Sequence, residues 1–304
     1  MTETQEPETP RRKSRPYSRN IEILADTPWP EGMRRVALAV EYLGGQYHGF
    51  QTQPTGVATV QQHLERALSA VANEPITLVC AGRTDAGVHA TGQVVHFDTL
   101  AERPEKAWVL GTRANLPFDI AVRWARPVEP GFHARFSAGS RTYRYLISDR
   151  KTYSALTHQQ VTWSRKRLDE NAMREAGQAL VGEHDFTSYR ASQCQAKSPV
   201  RRIEYLHIAR RGDLVVLEVK ANAFLHHMVR NIVGVLMAIG AGEAPVAWAG
   251  EILAARDRRA GGVTARPFGL YLVNVAYPER FGLPTTAPGP LFVPEPLGAL
   301  EQSP

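Results

Sequence analysis

The sequence predicts an α+β fold made of two βαββαβ halves, and three observations predict it. Apolar residues alternate with period two in short runs and recur at helical spacing in longer ones. The order of these runs is β, α, β, β, α, β over residues 33–130, and the same order returns loosely over 131–280. Each βαββαβ unit closes as an antiparallel sheet with both helices on one face, which leaves the other face free, and two such faces are expected to join as a basic central cleft.

In the first half, "RRVALAVEYLG" (34–44) reads as a strand and "TVQQHLERALSAVAN" (59–73) as a helix with Leu64, Leu68 and Val71 on one side. "ITLVCAG" (76–82) and "TGQVVHFDT" (91–99) read as strands, a helix is expected near 105–114, and "DIAVRWARPV" (119–128) closes the unit. The second half offers a strand at 140–149, a helix at 168–181, and strands at 203–210 and 213–221 split by Arg211 and Gly212. Helices at 224–240 and 246–256 and a strand at 268–276 complete it. Residues 1–32 are rich in Pro, Ser, Thr and charge and read as a flexible basic arm, either an inert tail or an extra set of phosphate contacts through Arg11, Arg12, Lys13 and Arg15. Residues 281–304 read as an extended tail.

Composition narrows the function. A chain of 304 residues with 43% hydrophobic and 22% charged content has the profile of a globular protein of about two domains. The net charge of +6 favours an anionic partner, nucleic acid first. Arg230 interrupts the longest apolar run, so no membrane span is expected. No secretory or transit signal fits the N-terminus, and a cytoplasmic location is expected. The two cysteines, Cys80 and Cys194, lie in no zinc-ligand spacing. Phosphate-binding glycine motifs and the nucleophile elbow of serine hydrolases do not occur. His226 and His227 fall on a predicted helix about 100° apart, too far round to share one metal, and read as one packed and one polar histidine.

The chemistry-bearing stretch is "CAGRTDAGVHATGQVVHF" (80–97). Asp85-Ala86-Gly87 reads as a tight turn. The alternative is a reactive carboxylate: if residues 83–85 are extended, Arg83 lies on the same side as Asp85 and pairs with it. Burial in a dry cleft favours the neutral acid, and an adjacent guanidinium restores the anion. An oriented carboxylate of that kind can act at a sugar C1′. No second acid is close in sequence, which disfavours a two-carboxylate hydrolase. "FHARFSAGSRTYRY" (132–145) carries Arg135, Arg141 and Arg144, with Tyr143 and Tyr145 on one strand face. It reads either as phosphate contacts beside a base-stacking ring or as a sheet-core tyrosine pair with solvated arginines. "RRIEYLHIARR" (201–211) and "ARDRRAGG" (255–262) are further basic clusters.

The segment "AGRTDAGVHATGQVVHF" resembles the active-site motif of the tRNA pseudouridine synthase A family. The likeness extends through "YLGGQYHGFQTQP" (42–54), "FHARFSA" (132–138), "RTYRY" (141–145), "GEHDFTSYRASQCQ" (182–195), "ANAFLHHMVRNIVG" (221–234), "GLYLV" (269–273) and "GPLF" (289–292), in family order. The resemblance implies the pseudouridine synthase fold, with two ferredoxin-like halves. It implies isomerisation of uridine to pseudouridine at positions 38, 39 and 40 of the tRNA anticodon arm, without cofactor or metal, by a homodimer. Asp85 would be the nucleophile and Arg83 would pair with it and hold the flipped nucleotide. Tyr143 would stack on the uracil and Leu270 would pack against it. Arg141, Arg144, Arg201, Arg202, His227 and Arg230 are the expected tRNA contacts. A carboxylate that rejoins the base instead of releasing it needs no second acid. The competing readings are a noncatalytic tRNA-binding protein on the same scaffold and a nucleoside hydrolase that releases free uracil.

Overall fold

The computed structural model describes residues 29–285 and 287–293. The basic cluster Arg11, Arg12, Lys13 and Arg15 and the last part of the tail lie outside the described residues. Trp29–Met33 is tied by a bond from the Trp29 indole N–H to the Met33 carbonyl at 2.8 Å, and the described residues from Arg34 onward form one compact unit.

Strand β1 is Arg34–Tyr42, helix α1 Val60–Ala72, β2 Val79–Cys80 and β3 His89–Thr99. A π-helical turn over Ala107–Gly111 runs into the short α2, Thr112–Ala114, and β4 is Ile120–Val128. Then come β5 (Ser140–Ser148), β6 (Thr162–Trp163), α3 (Glu170–Gln178), β7 (Gly182–Asp185), β8 (Val200–Arg211) and β9 (Leu214–Ala221). Helices α4 (Met228–Gly240) and α5 (Trp248–Ala255) and strand β10 (Leu270–Ala276) follow. The short strands β6 and β7 have too few residues to show a period and were not expected from sequence.

Local chemistry accounts for the boundaries. On α1 the buried side chains Val60, Leu64, Ala67, Leu68 and Ala72 repeat at helical spacing. The Thr59 N–H donates to the Gln62 side chain at the start, and left-handed Asn73 ends the helix. Asp169 accepts from the N–H groups of Asn171 and Ala172 and caps α3.

All strands join one mixed sheet, ordered β4-β1-β3-β10-β5-β9-β8-β7, with β2 beside β3 and β6 beside β5. The orders β4-β1-β3-β2 and β10-β5-β9-β8 repeat one pattern, first-half strands on one side and second-half strands on the other. A short parallel contact, Tyr271 and Leu272 of β10 against His89 and Ala90 of β3, joins them.

Sheet alternation decides what each face does. Tyr143, Tyr145 and Ile147 of β5 enter the core that holds Leu64, Leu68, Met173, Met228 and Ile232. Arg144 and Leu146 point the other way, toward Val216, Tyr271 and Val273, where Val293 covers them. The face opposite the helices was expected to be free. It is covered over β5, β9 and β10 by residues 289–293, whose Gly289 carbonyl accepts from Arg144 at 2.9 Å.

His96 on β3 makes the core acid-sensitive. It is 3% exposed, and its Nδ1 accepts from the Ala134 N–H at 3.1 Å. Burial, followed by the charges of Arg35 and His133, lowers its pKa from 6.5 to about 3. The unfolded chain binds this proton near 6.5 and the folded chain only near 3, so stability is full above pH 6.5 and falls as pH drops through that window. The span is worth roughly 4 to 5 kcal/mol. Urea unfolding at pH 7 and pH 4 is expected to show a smaller acid loss for His96→Asn than for the wild type. Equal losses would refute this account.

Candidate active site at the β3–β10–β5 seam

The loop between β2 and β3 is pinned from both ends. The Ala81 N–H donates to the Val94 carbonyl at 2.8 Å, and the Gln93 side-chain amide donates to the Gly82 carbonyl at 2.6 Å. Thr84 is buried against Tyr42, hydroxyl to hydroxyl at 2.8 Å, and its carbonyl accepts from the Phe50 N–H at 3.1 Å. Residues 85–88 then form a β-turn closed by the Val88 N–H on the Asp85 carbonyl at 3.1 Å. Gly87, at φ 78°, occupies the position that requires positive φ in a type II turn. Gly44 lies so close that a Cβ there would sit 1.9 Å from the Val88 carbonyl oxygen. The turn reading is correct, but it is the Asp85 backbone carbonyl that closes the turn, and the carboxylate faces elsewhere.

Three nitrogen-bearing side chains face it. His226 Nε2 is 3.4 Å from Oδ1, His227 Nε2 is 3.4 Å from Oδ2, and the Arg230 guanidinium is 3.6 Å from Oδ2. The Asp85 side chain is 27% exposed and that of Arg230 is 14% exposed, so a partner could still reach the carboxylate. Arg230 is also held by its Nε–H on the Ala265 carbonyl at 2.8 Å.

These partners correct two expectations. Arg83 is exposed and, among the described residues, makes no ion pair with Asp85. The chain turns at 85–88 instead of remaining extended, and Arg230 occupies the place expected of Arg83. The helix expected from residue 224 begins only at Met228, with His227 in the left-handed region at φ 60°. The 100° helical offset therefore does not apply to His226 and His227, and both rings converge on Asp85 with centroids 4.0 Å apart. Their convergence was missed in the sequence; the i, i+3 spacing of His227 and Arg230 is the signal that could have pointed to it.

Tyr143 stands beside this group, edge-on to Phe224 with ring centroids 5.0 Å apart. Burial and then the Asp85 charge push its phenol well above the usual tyrosine range, so it stays neutral. Leu270 and Leu272 of β10 pair with Tyr145 and Tyr143 of β5, which puts all four side chains on the helix-bearing face. The site is thus on that face, and not on the face expected to be free. Burial lowers the pKa of His227 against the opposing pull of Asp85, so its imidazole is neutral at neutral pH. Burial raises the Cys80 thiol to about 11, which keeps it unreactive.

Other expected tRNA contacts are already engaged. Arg144 is fully buried, its Nε–H donating to Glu218 Oε2 at 2.6 Å. Arg141 spends its guanidinium on the carbonyls of Ala138, Asn222, Ala81 and Arg135. Arg201 donates to the carbonyls of Ser198 and Val200. These three arginines support the protein itself, whereas Arg202 is exposed. Period two places side chains on faces but says nothing about what covers each face, which is why the arginines read alike in sequence.

The model of a family described as tRNA pseudouridine synthase matches residues 38–137 and 176–278. The first stretch contains Asp85 and the second contains His226, His227, Arg230 and Leu270. A protein of Pseudomonas aeruginosa named tRNA pseudouridine synthase A is 60% identical over 262 residues, 86% of this chain and 92% of its own. One of the same name from Alcanivorax borkumensis is 57% identical over 267 residues, 88% of this chain and 100% of its own. A third, from Nitrosococcus oceani, is 60% identical over 250 residues, 82% of this chain and 96% of its own. Among the described residues no helix is long and apolar enough to cross a membrane.

Proposed function

The chain belongs to the tRNA pseudouridine synthase family, and on that premise we propose that it isomerises uridine to pseudouridine in the tRNA anticodon arm with Asp85 as nucleophile. The observation that carries this reading is one oriented carboxylate, faced by His226, His227 and Arg230, with the Tyr143 ring beside it. In the reaction the N1–C1′ bond opens, the base turns, and a C5–C1′ bond forms. C5 loses its proton and N1 gains one, so nothing leaves and no second carboxylic acid is called for.

A uridine inside a helix must be flipped out before C1′ is accessible. Tyr143 supports the flipped uracil by stacking, and Leu270 packs from the β10 side. Exposed Arg83 replaces the base or holds the backbone, and Arg202 contacts phosphate. Arg230 takes the role of orienting the carboxylate. The two strand sets correspond to ferredoxin-like subdomains, 33–130 and 131–280. The targets are positions 38, 39 and 40, the active form is a homodimer, and the protein works in the cytoplasm.

Incubating the protein with unmodified tRNA tests the reading directly. Mapping is expected to find pseudouridine at 38, 39 and 40 with no free uracil. Released uracil would indicate a hydrolase, and tRNA binding without conversion would leave only a binding protein.

A further inference from the structure

The geometry around Asp85 points to a second property: we propose that Asp85, His226 and His227 form a site for a divalent transition metal of the zinc class, and that a metal bound there blocks isomerisation. The metal site does not depend on the isomerase reading, because it rests on ligand geometry alone. The block does depend on it, since it requires Asp85 to be the nucleophile.

Zinc with nitrogen and oxygen ligands at about 2.0 to 2.1 Å in tetrahedral array holds its ligand atoms about 3.4 Å apart. His226 Nε2 lies 3.4 Å from Oδ1 of Asp85 and His227 Nε2 lies 3.4 Å from Oδ2. One ligand atom from each residue can be chosen so that all three lie within 4.8 Å of one another. This spacing is long for a strong N–H···O bond, whose usual length is about 2.9 to 3.0 Å. Among the described residues neither imidazole makes a hydrogen bond, so no competing partner claims the nitrogens. A neutral imidazole offers a lone pair on one ring nitrogen, and two imidazoles with one carboxylate make a ligand set suited to zinc, cobalt or nickel. Three protein ligands leave a fourth position for water.

Two features make the site reversible instead of structural. The His226 and His227 side chains are 40% and 29% exposed, so the metal would be reached from solvent. The Arg230 guanidinium, 3.6 Å from Oδ2, repels a cation and holds affinity below that of a dedicated zinc site. Removing that charge should therefore strengthen metal binding, the opposite of its effect on a purely structural contact. A metal on the carboxylate oxygens would withdraw the electron density that the attack at C1′ needs.

Titration of the full-length protein with Co2+, in the absence of tRNA, tests the site. One equivalent is expected to produce the visible absorption of four-coordinate cobalt, displaced by Zn2+. Loss of a group that merely supports a ligand costs about 10- to 100-fold in metal affinity, so His226→Ala and His227→Ala should each weaken binding at least about tenfold. Arg230→Gln should tighten it. Absence of the absorption, or absorption unchanged in a His226→Ala/His227→Ala variant that melts like the wild type, would overturn the site. Saturating Zn2+ should suppress wild-type isomerisation, with recovery on chelation. Metal binding without inhibition would overturn the block while leaving the site in place.

Discussion

Asp85→Asn is expected to lower pseudouridine formation by on the order of 10³-fold or more while tRNA affinity stays within about tenfold of the wild type. The amide keeps the size and shape of the carboxylate and can still contact His226, His227 and Arg230, so the local packing is retained. What it loses is the negative charge and the nucleophilic oxygen, and a 10³-fold loss corresponds to about 4 kcal/mol of barrier. Binding responds differently because phosphate neutralisation by lysine and arginine dominates affinity for nucleic acid, and Asp85 neutralises no phosphate. Removing a carboxylate from a basic surface could even tighten the complex. The measurement is single-turnover conversion of a tRNA transcript together with its dissociation constant at two salt concentrations. Conversion at the wild-type rate would remove Asp85 from the chemistry. Loss of conversion matched by loss of binding would assign it to recognition.

The sequence carried the fold's grammar further than it carried the site's partners. Period-two runs located β1, β3, β5, β8, β9 and β10 to within a few residues, because each buries at least one face against a neighbour. Asp85 was legible for a local reason: Gly87 must take positive φ for the 85–88 turn to close, so the turn and its carboxylate are written in consecutive residues. The partners of Asp85 were not, since they arrive from the first turn of α4 and the two residues just before it, more than 140 positions further on. Their convergence depends on a helix start that differs by four residues between the sequence reading and the structure. A left-handed His227 has no strong sequence signature, unlike a left-handed glycine. Arg144 is the clearest case of missing information. Its strand and its face followed from alternation, but the segment 289–293 that covers that face follows from the path of the chain alone.

Arg144→Met is therefore expected to destabilise the fold by about 3 to 5 kcal/mol and to leave RNA contacts unchanged in the folded fraction. Arg144 is fully buried, pairs with Glu218 at 2.6 Å, and also donates to the carbonyls of Gly289 and Val293. Methionine fills most of the volume but leaves a buried carboxylate with, among the described residues, the Tyr205 hydroxyl at 3.0 Å as its remaining donor. That uncompensated charge, more than the lost attraction, is the main cost. Replacing both partners, Arg144→Met with Glu218→Leu, removes it and should recover a substantial part of the loss, though the two carbonyls stay unpaired. Urea unfolding of the two single variants and the double variant measures this coupling. The salt dependence of tRNA binding separates the structural role from the one first read in the sequence. A phosphate contact contributes a slope of about 0.7 to 0.9 in log affinity against log salt, and its removal should lower the slope by that amount. A variant with wild-type stability and a reduced slope would return Arg144 to the RNA surface. Lower stability with an unchanged slope keeps it as the buried tie between β5, β9 and the segment at 289–293.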